Sequence, residues 1–229
     1  MNDMFATDST SQSSLPPWQL LLLLVGFPLL YMLNSLTPWA SGLFVEHQRS
    51  YFFPFWGSVA ILHWTSLVLA VVFVRRSGRR LSDLDFRMTL SGIIIFVIVT
   101  VGLGLILIML RNTWPTGTGP AAAWQIFYPH SLTERLFWVF MCLTAGLCEE
   151  FVYRGFGIRM LQSRRFRTWQ AVAICCVSFA FVHGAAGVLF FPAYFLVGLL
   201  FSLIFLWRKR LAPGMYLHAV FDLFALLAI

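Results

Sequence analysis

Two adjacent glutamates and an arginine lie in a segment that otherwise has the composition of a membrane-spanning helix. They are Glu149, Glu150 and Arg154. Each ionised group costs at least about 2.5–3.5 kcal/mol at the centre of a bilayer, so three charges within six residues indicate a functional site. Glu150 and Arg154 are four residues apart and share a helix face, where they can pair. The spacing predicts that this pair supports the site structurally, and that Glu149 is free to act as a general base or acid.

A structural buried ion pair is an alternative interpretation of the same residues. For Glu150 and Arg154, this interpretation and a supporting role in catalysis explain the sequence equally well. It is less favoured for Glu149, which is rotated by about 100° from Glu150 and has no charged partner four residues away.

Two further apolar segments each carry a pair of residues at helical spacing. Phe179 and His183 are four residues apart, as are His218 and Asp222. A rise of 1.5 Å per residue places Glu149 about 15 Å, His218 about 12 Å, Asp222 about 18 Å and His183 about 24 Å above the basic residues at the inner helix ends. Helix tilt could bring these groups into one cavity inside the bundle, where polar side chains in membranes pair with one another.

The remaining histidines and the cysteines are not predicted to belong to this site. His63 has no polar partner at helical spacing and is interpreted as a packing residue, and His47 and His130 are interpreted as interfacial or loop residues. All the cysteines fall in apolar runs, without the paired spacing of a disulfide framework or a zinc site. They are Cys142, Cys148, Cys175 and Cys176.

Composition predicts the element type that must position these side chains. Apolar residues make up 59% of the 229 positions and charged residues 11%, against about 45–50% and about 25% in soluble domains. The mean hydropathy is +0.81. The chain is therefore predicted to be an all-α, polytopic membrane bundle, in which the net charge of +7 serves anchoring rather than nucleic-acid binding.

The apolar runs predict about seven transmembrane helices in a single domain, residues 18–229, after a disordered tail, residues 1–17. The tail lacks the basic region of a secretory signal. Ser131 to Glu134 has the spacing of a capping box at the start of the fourth helix. The predicted helices are Trp18–Leu36, Phe53–Val74, Thr89–Leu110, Leu132–Leu161, Trp169–His183, Val188–Trp207 and Leu211–Ile229.

The distribution of basic residues predicts the orientation. Twelve of the 16 lie in the connections after the second, fourth and sixth predicted helices. Basic residues concentrate in cytoplasmic loops. The N-terminus is therefore predicted to lie inside, with the chain in the inner or plasma membrane of a bacterial or archaeal cell.

The three motifs together resemble those of the CPBP family of intramembrane glutamic endopeptidases. This family comprises the type II CAAX-prenyl proteases and the bacteriocin-processing, or ABI, proteins. The resemblance rests on Glu-Glu-x-x-x-Arg at 149–154, Phe-x-x-x-His at 179–183 and His-x-x-x-Asp at 218–222. It covers roughly residues 130–229, which we expect to form the catalytic core. The third family motif ends in Asn or Asp, so Asp222 lies within the pattern.

The resemblance implies a role for each motif residue. Glu149 would act with His183 to activate a water molecule, and Glu150 and Arg154 would orient the groups that touch the substrate. Peptide-bond hydrolysis in, or next to, a membrane-embedded or lipid-anchored substrate is the implied reaction.

His218 and Asp222 match the positions that stabilise the oxyanion of the tetrahedral intermediate. An ionised aspartate would repel an oxyanion. Asp222 is therefore expected either to be protonated or, as we favour, to orient His218.

The resemblance also implies a site without a cofactor or metal. Zinc bound by the carboxylates and histidines is a less favoured alternative, and no His-Glu-x-x-His motif is present. The expected partners are a membrane-bound peptide or protein substrate and the lipid bilayer; the sequence does not define an oligomeric state. The alternative function is non-enzymatic: an immunity or scaffold protein, or a proton-coupled transporter, that uses the same buried polar network.

Overall fold

The computed structural model describes residues 15–40, 51–78 and 127–224, together with positions 90, 91, 94 and 98. The regular structure within these residues is helical, without a strand, which confirms the all-α fold. We number the helices α1 to α7 along the described residues. They are α1 (Pro17–Leu21, the π-helical Leu22–Gly26 and Phe27–Ala40), α2 (Phe52–Arg76), α3 (Leu132–Glu149, the π-helical Glu150–Ile158 and Arg159–Ser163), α4 (Thr168–Phe181), α5 (Gly184–Leu189), α6 (Phe191–Arg208) and α7 (Ala212–Leu223).

Four of these helices are long and apolar enough to cross a membrane. They are Pro17–Thr37, Phe52–Arg76, Leu132–Ser163 and Phe191–Arg208, and Thr168–Phe181 is apolar but shorter. About 20 residues are needed to span a bilayer. The fold is therefore that of a membrane helical bundle.

Several predicted segments fall outside the described residues. These are most of Thr89–Leu110, of which positions 90, 91, 94 and 98 are helical, the last residues of Leu211–Ile229, and all but the end of the tail. The single domain at residues 18–229 stays a prediction. The capping box is confirmed, since Glu134 N–H donates to Ser131 Oγ and the Glu134 carboxylate accepts from Ser131 N–H.

The predicted boundary between the fifth and sixth helices is wrong. The chain does not run as one helix to His183 and start another at Val188: α4 ends at Phe181, and the short helix α5 precedes α6. Gly184 has a φ of +61°, a conformation that glycine adopts readily and that commonly ends a helix. His183 consequently lies in a turn between two helices. The sequence predicts a break after His183 but not the helix α5, whose six residues are too few for a recognisable helical pattern.

Close contacts at glycines draw the other helices onto α3. A Cβ at Gly146 would lie 2.5 Å from the carbonyl oxygen of Met215 on α7, and one at Gly157 would lie 2.8 Å from Cys175 Sγ on α4. Residues Glu150–Ile158 of α3 are all buried. The motif segment therefore occupies the centre of the bundle, within reach of α2, α4, α6 and α7.

Candidate active site

Glu150 is the centre of a buried ion-pair network. Its Oε1 accepts hydrogen bonds from Arg154 Nη1 at 2.9 Å and from His218 Nδ1 at 3.0 Å. The three side chains are almost fully buried, at 1–3% exposure. The predicted pairing of Glu150 with Arg154 is present, and it extends to the histidine of the third motif on α7.

The Arg154 guanidinium makes further contacts that compensate its burial. Its Nη2 donates to the carbonyl oxygen of Gly198 at 2.9 Å. It also lies over the rings of Phe179, at 4.5 Å from the centroid, and Phe201, at 5.5 Å. Aromatic faces attract cations, so three helices (α3, α4 and α6) meet at the Arg154 charge, and His218 joins α7 to them through Glu150.

His218 is held on two sides by carboxylates and on one face by an aromatic ring. Its Nε2 lies 3.5 Å from Asp222 Oδ2, a longer separation than that of an ordinary hydrogen bond. The Phe201 ring stacks on it at 4.8 Å between centroids, with 17° between the planes. The structure thus places Asp222 beside His218, as an orienting role requires.

Glu149 has a separate partner, His63 of α2. Its Oε1 lies 2.7 Å from His63 Nε2. The expectation that His63 has no polar side-chain partner is wrong, and its interpretation as a packing residue stays a prediction. The pairing crosses between helices 86 residues apart in sequence, so a search at helical spacing could not find it. The available signal was the presence of an isolated histidine within a membrane span.

The two carboxylate oxygens of Glu149 differ in their hydrogen bonding. Oε2 is buried, and within the described part of the chain it has no hydrogen-bond partner. Glu149 interacts electrostatically with His63, His218 and His183. Glu149 therefore keeps one carboxylate oxygen without a partner among the described residues, and histidines lie in its surroundings.

His183 has a defined tautomer when it is neutral. Its Nδ1 lies 2.9 Å from the Phe179 carbonyl oxygen, which can only accept, so Nδ1 carries the proton and Nε2 becomes an acceptor. The ring stacks on Tyr194 at 4.0 Å between centroids and packs edge-on against Phe179 at 5.1 Å. The Phe-x-x-x-His motif thus supplies both the hydrogen-bond acceptor and a packing surface for its histidine.

Burial divides the site into a closed and an open side. Glu149, Glu150 and His218 are buried, whereas His183 is half-buried and the Asp222 side chain is 30% exposed. A substrate that reaches this cluster would therefore approach from the side of His183 and Asp222.

The described residues contain no group of three or more His, Cys, Asp or Glu side chains arranged to hold a metal ion. Two of the potential ligands, His63 and His218, are engaged with oxygen atoms. His63 and His218 each have both ring nitrogens within 3.5 Å of an oxygen atom, so neither could bind a metal without losing a contact.

Comparison with known families identifies the part of the chain that holds the motifs. Residues 131–224 match the family described as type II CAAX prenyl endopeptidase Rce1-like. This region is therefore similar to the CAAX protease family. All six predicted site residues lie within it, and His63 lies outside it. The chain thus combines helices long and apolar enough to cross a membrane with a region similar to an intramembrane protease domain. Comparison with curated proteins and with solved structures gives no match.

Proposed function

We propose that the chain is an intramembrane endopeptidase in which Glu149 and His183 activate a water molecule directly. The observation that supports this best is the buried Oε2 of Glu149, which has no partner among the described residues. A buried polar atom left unsatisfied costs about 1–3 kcal/mol. A carboxylate oxygen kept in that state suits a base that receives a proton during the reaction, and Glu149 interacts electrostatically with His183, whose Nε2 is an acceptor when the ring is neutral.

In the first step, the water oxygen attacks the carbonyl carbon of the scissile bond. Glu149 Oε2 takes one water proton, and His183 Nε2 accepts the hydrogen bond of the other, which orients the attacking lone pair. The carbonyl electron pair moves onto oxygen. The intermediate then collapses with cleavage of the C–N bond, and Glu149 returns its proton to the leaving amine.

His218 is placed to stabilise the oxyanion. Its Nδ1 is anchored on Glu150 at 3.0 Å, whereas its Nε2 makes only the 3.5 Å contact with Asp222. When both nitrogens carry protons, Nε2–H can donate to the developing oxyanion while Glu150 and the stacked Phe201 ring keep the imidazole in place. One preorganised donor of this kind contributes about 10²–10³ in kcat.

The proposal also covers the substrate, the membrane and the absence of a metal from the chemistry. The substrate is a peptide or protein embedded in, or lipid-anchored to, the bilayer, and a prenylated C-terminal peptide is one candidate. The N-terminus lies inside, according to the distribution of arginines, in a bacterial or archaeal inner or plasma membrane. The chemistry needs no metal. Inhibition by 1,10-phenanthroline that zinc reverses would contradict this part of the proposal.

Turnover by purified protein in liposomes tests the function. The substrates are a farnesylated CAAX peptide and a set of transmembrane peptides, with products identified by mass spectrometry. We expect Glu149→Gln to lower turnover by at least about 10²-fold, as loss of a general base does. Glu134→Gln is the matched control, because Glu134 lies on the same helix but in the capping box, and it should cleave like the wild type.

The same experiment distinguishes the peptidase hypothesis from a non-enzymatic function. Equal turnover by Glu149→Gln and the wild type would contradict glutamate catalysis. Binding of peptides without cleavage by any form of the protein would instead favour an immunity or scaffold role.

A further inference from the structure

We infer that His63, on a helix outside the family-matched region, is a positioning residue that fixes the catalytic carboxylate of Glu149. The inference rests on the proposed function. It adds α2 to the helices that build the site, and it assigns the two oxygens of Glu149 different tasks.

The hydrogen bonds of His63 determine where its protons lie. Its Nδ1 is 2.8 Å from the carbonyl oxygen of Val59, which can only accept, so Nδ1 carries a proton. Its Nε2 is 2.7 Å from Glu149 Oε1. One proton must therefore lie between Nε2 and Oε1. In the form active as a base, the proton is on His63 and Glu149 is ionised, so the contact is a charge-assisted hydrogen bond.

The surroundings of His63 hold its ring in one orientation. The side chain is 5% exposed, and the Tyr31 ring packs edge-on against it at 5.2 Å between centroids. Ser66 Oγ donates to the His63 carbonyl oxygen at 2.8 Å. With Nδ1 tied to its own helix, Nε2 has a fixed direction toward α3.

This geometry decides which oxygen of Glu149 reacts. Oε1 is engaged by His63, so the carboxylate cannot rotate without losing that bond. Oε2 is the oxygen left without a partner in the described residues. Residues that orient a reactive group from behind commonly change activity by about 10–100-fold when they are replaced at metal sites, and we expect an effect of that size here.

Two amide substitutions of different length test the inference. In His63→Gln the amide nitrogen takes the place of Nε2 and can still donate to Glu149 Oε1. In His63→Asn the amide is too short and takes the place of Nδ1, which keeps the bond to Val59 and loses the bond to Glu149. We expect His63→Asn to lower kcat by about 10–100-fold with KM unchanged, and His63→Gln to restore most of that kcat.

A merely structural role predicts a different pattern. It would lower thermal stability in both variants and leave the kcat of the folded fraction equal between them. Equal kcat for His63→Asn and His63→Gln, at matched folded protein, would overturn the inference. If His63→Asn does not fold, His63→Gln decides: kcat lowered by tenfold or more overturns the inference, and retained kcat supports it.

Glu149→Gln in the same assay distinguishes the two proposals. If Glu149→Gln is inactive and His63→Asn cleaves like the wild type, the role of His63 fails and the proposed function stands. If Glu149→Gln cleaves like the wild type, both fail.

Discussion

Glu149 and Glu150 are consecutive residues, yet their carboxylates lie in two different surroundings. On the Glu150 side, one carboxylate oxygen accepts from both Arg154 and His218, and the arginine also contacts Gly198 and two aromatic rings. On the Glu149 side, one oxygen is engaged by His63 and the other has no partner among the described residues. The first arrangement compensates buried charge, and the second leaves an acceptor for chemistry.

The backbone changes at the boundary between the two sides. The α-helical part of α3 ends at Glu149, and a π-helical segment begins at Glu150. π-helical turns are rare and occur often at functional sites. In this chain the change coincides with the two adjacent carboxylates, of which Glu149 meets α2 and Glu150 meets α7.

The largest expected loss of stability comes from removing the ion pair of Glu150 with Arg154. Arg154→Met leaves the Glu150 carboxylate buried with its cationic partner removed, which costs about 3–5 kcal/mol. This cost is measured as the decrease in the free energy of unfolding in mixed detergent micelles. Arg135→Met, at an exposed position of the same helix, should change that free energy by less than about 0.5 kcal/mol. Equal losses in the two variants would show that Glu150 does not depend on the arginine.

An intermediate effect on stability and kcat is expected from moving apart α3 and α7, the helices that carry Glu150 and His218. A Cβ at Gly146 would lie 2.5 Å from the Met215 carbonyl oxygen and 3.0 Å from Ala219 N. Gly146→Ala should therefore push α3 and α7 apart, lower stability by about 1–3 kcal/mol and reduce kcat through His218. Gly57→Ala is the control, since its Cβ would meet nothing within 4 Å. It should be neutral or stabilising by up to about 1 kcal/mol. Wild-type kcat in Gly146→Ala would indicate that His218 acts independently of this packing.

The smallest expected effect tests a polar cluster that lies apart from both sides. Ser131→Ala removes the side-chain acceptor for Glu134 N–H and should lower the free energy of unfolding by about 1 kcal/mol. The kcat of the folded protein should stay at the wild-type value. A fall in kcat greater than the loss of folded protein would mean that the start of α3 also contributes to the site.

The sequence predicts the Glu150 side better than the Glu149 side. Glu150 and Arg154 interact within one helix, so their spacing is visible in the chain. His63 and Glu149 interact across two helices, and no local spacing reports such a contact. The surroundings of His183 also depend on contacts between helices: its ring stacks on Tyr194 of α6, and Gly184 turns the chain directly after it.

Combined measurement of turnover and stability for Glu149→Gln and Glu150→Gln tests the central claim most directly. We predict that Glu149→Gln lowers kcat by at least about 10²-fold, with a smaller loss of unfolding free energy than in Glu150→Gln, because His63 can release its proton and accept a hydrogen bond from the amide, which an arginine cannot do. Glu150→Gln should lower the free energy of unfolding by about 3 kcal/mol or more, because it leaves Arg154 as an unpaired buried cation. Loss of turnover and stability in the same proportion in both variants would contradict the division of the two glutamates into a reactive and a structural carboxylate.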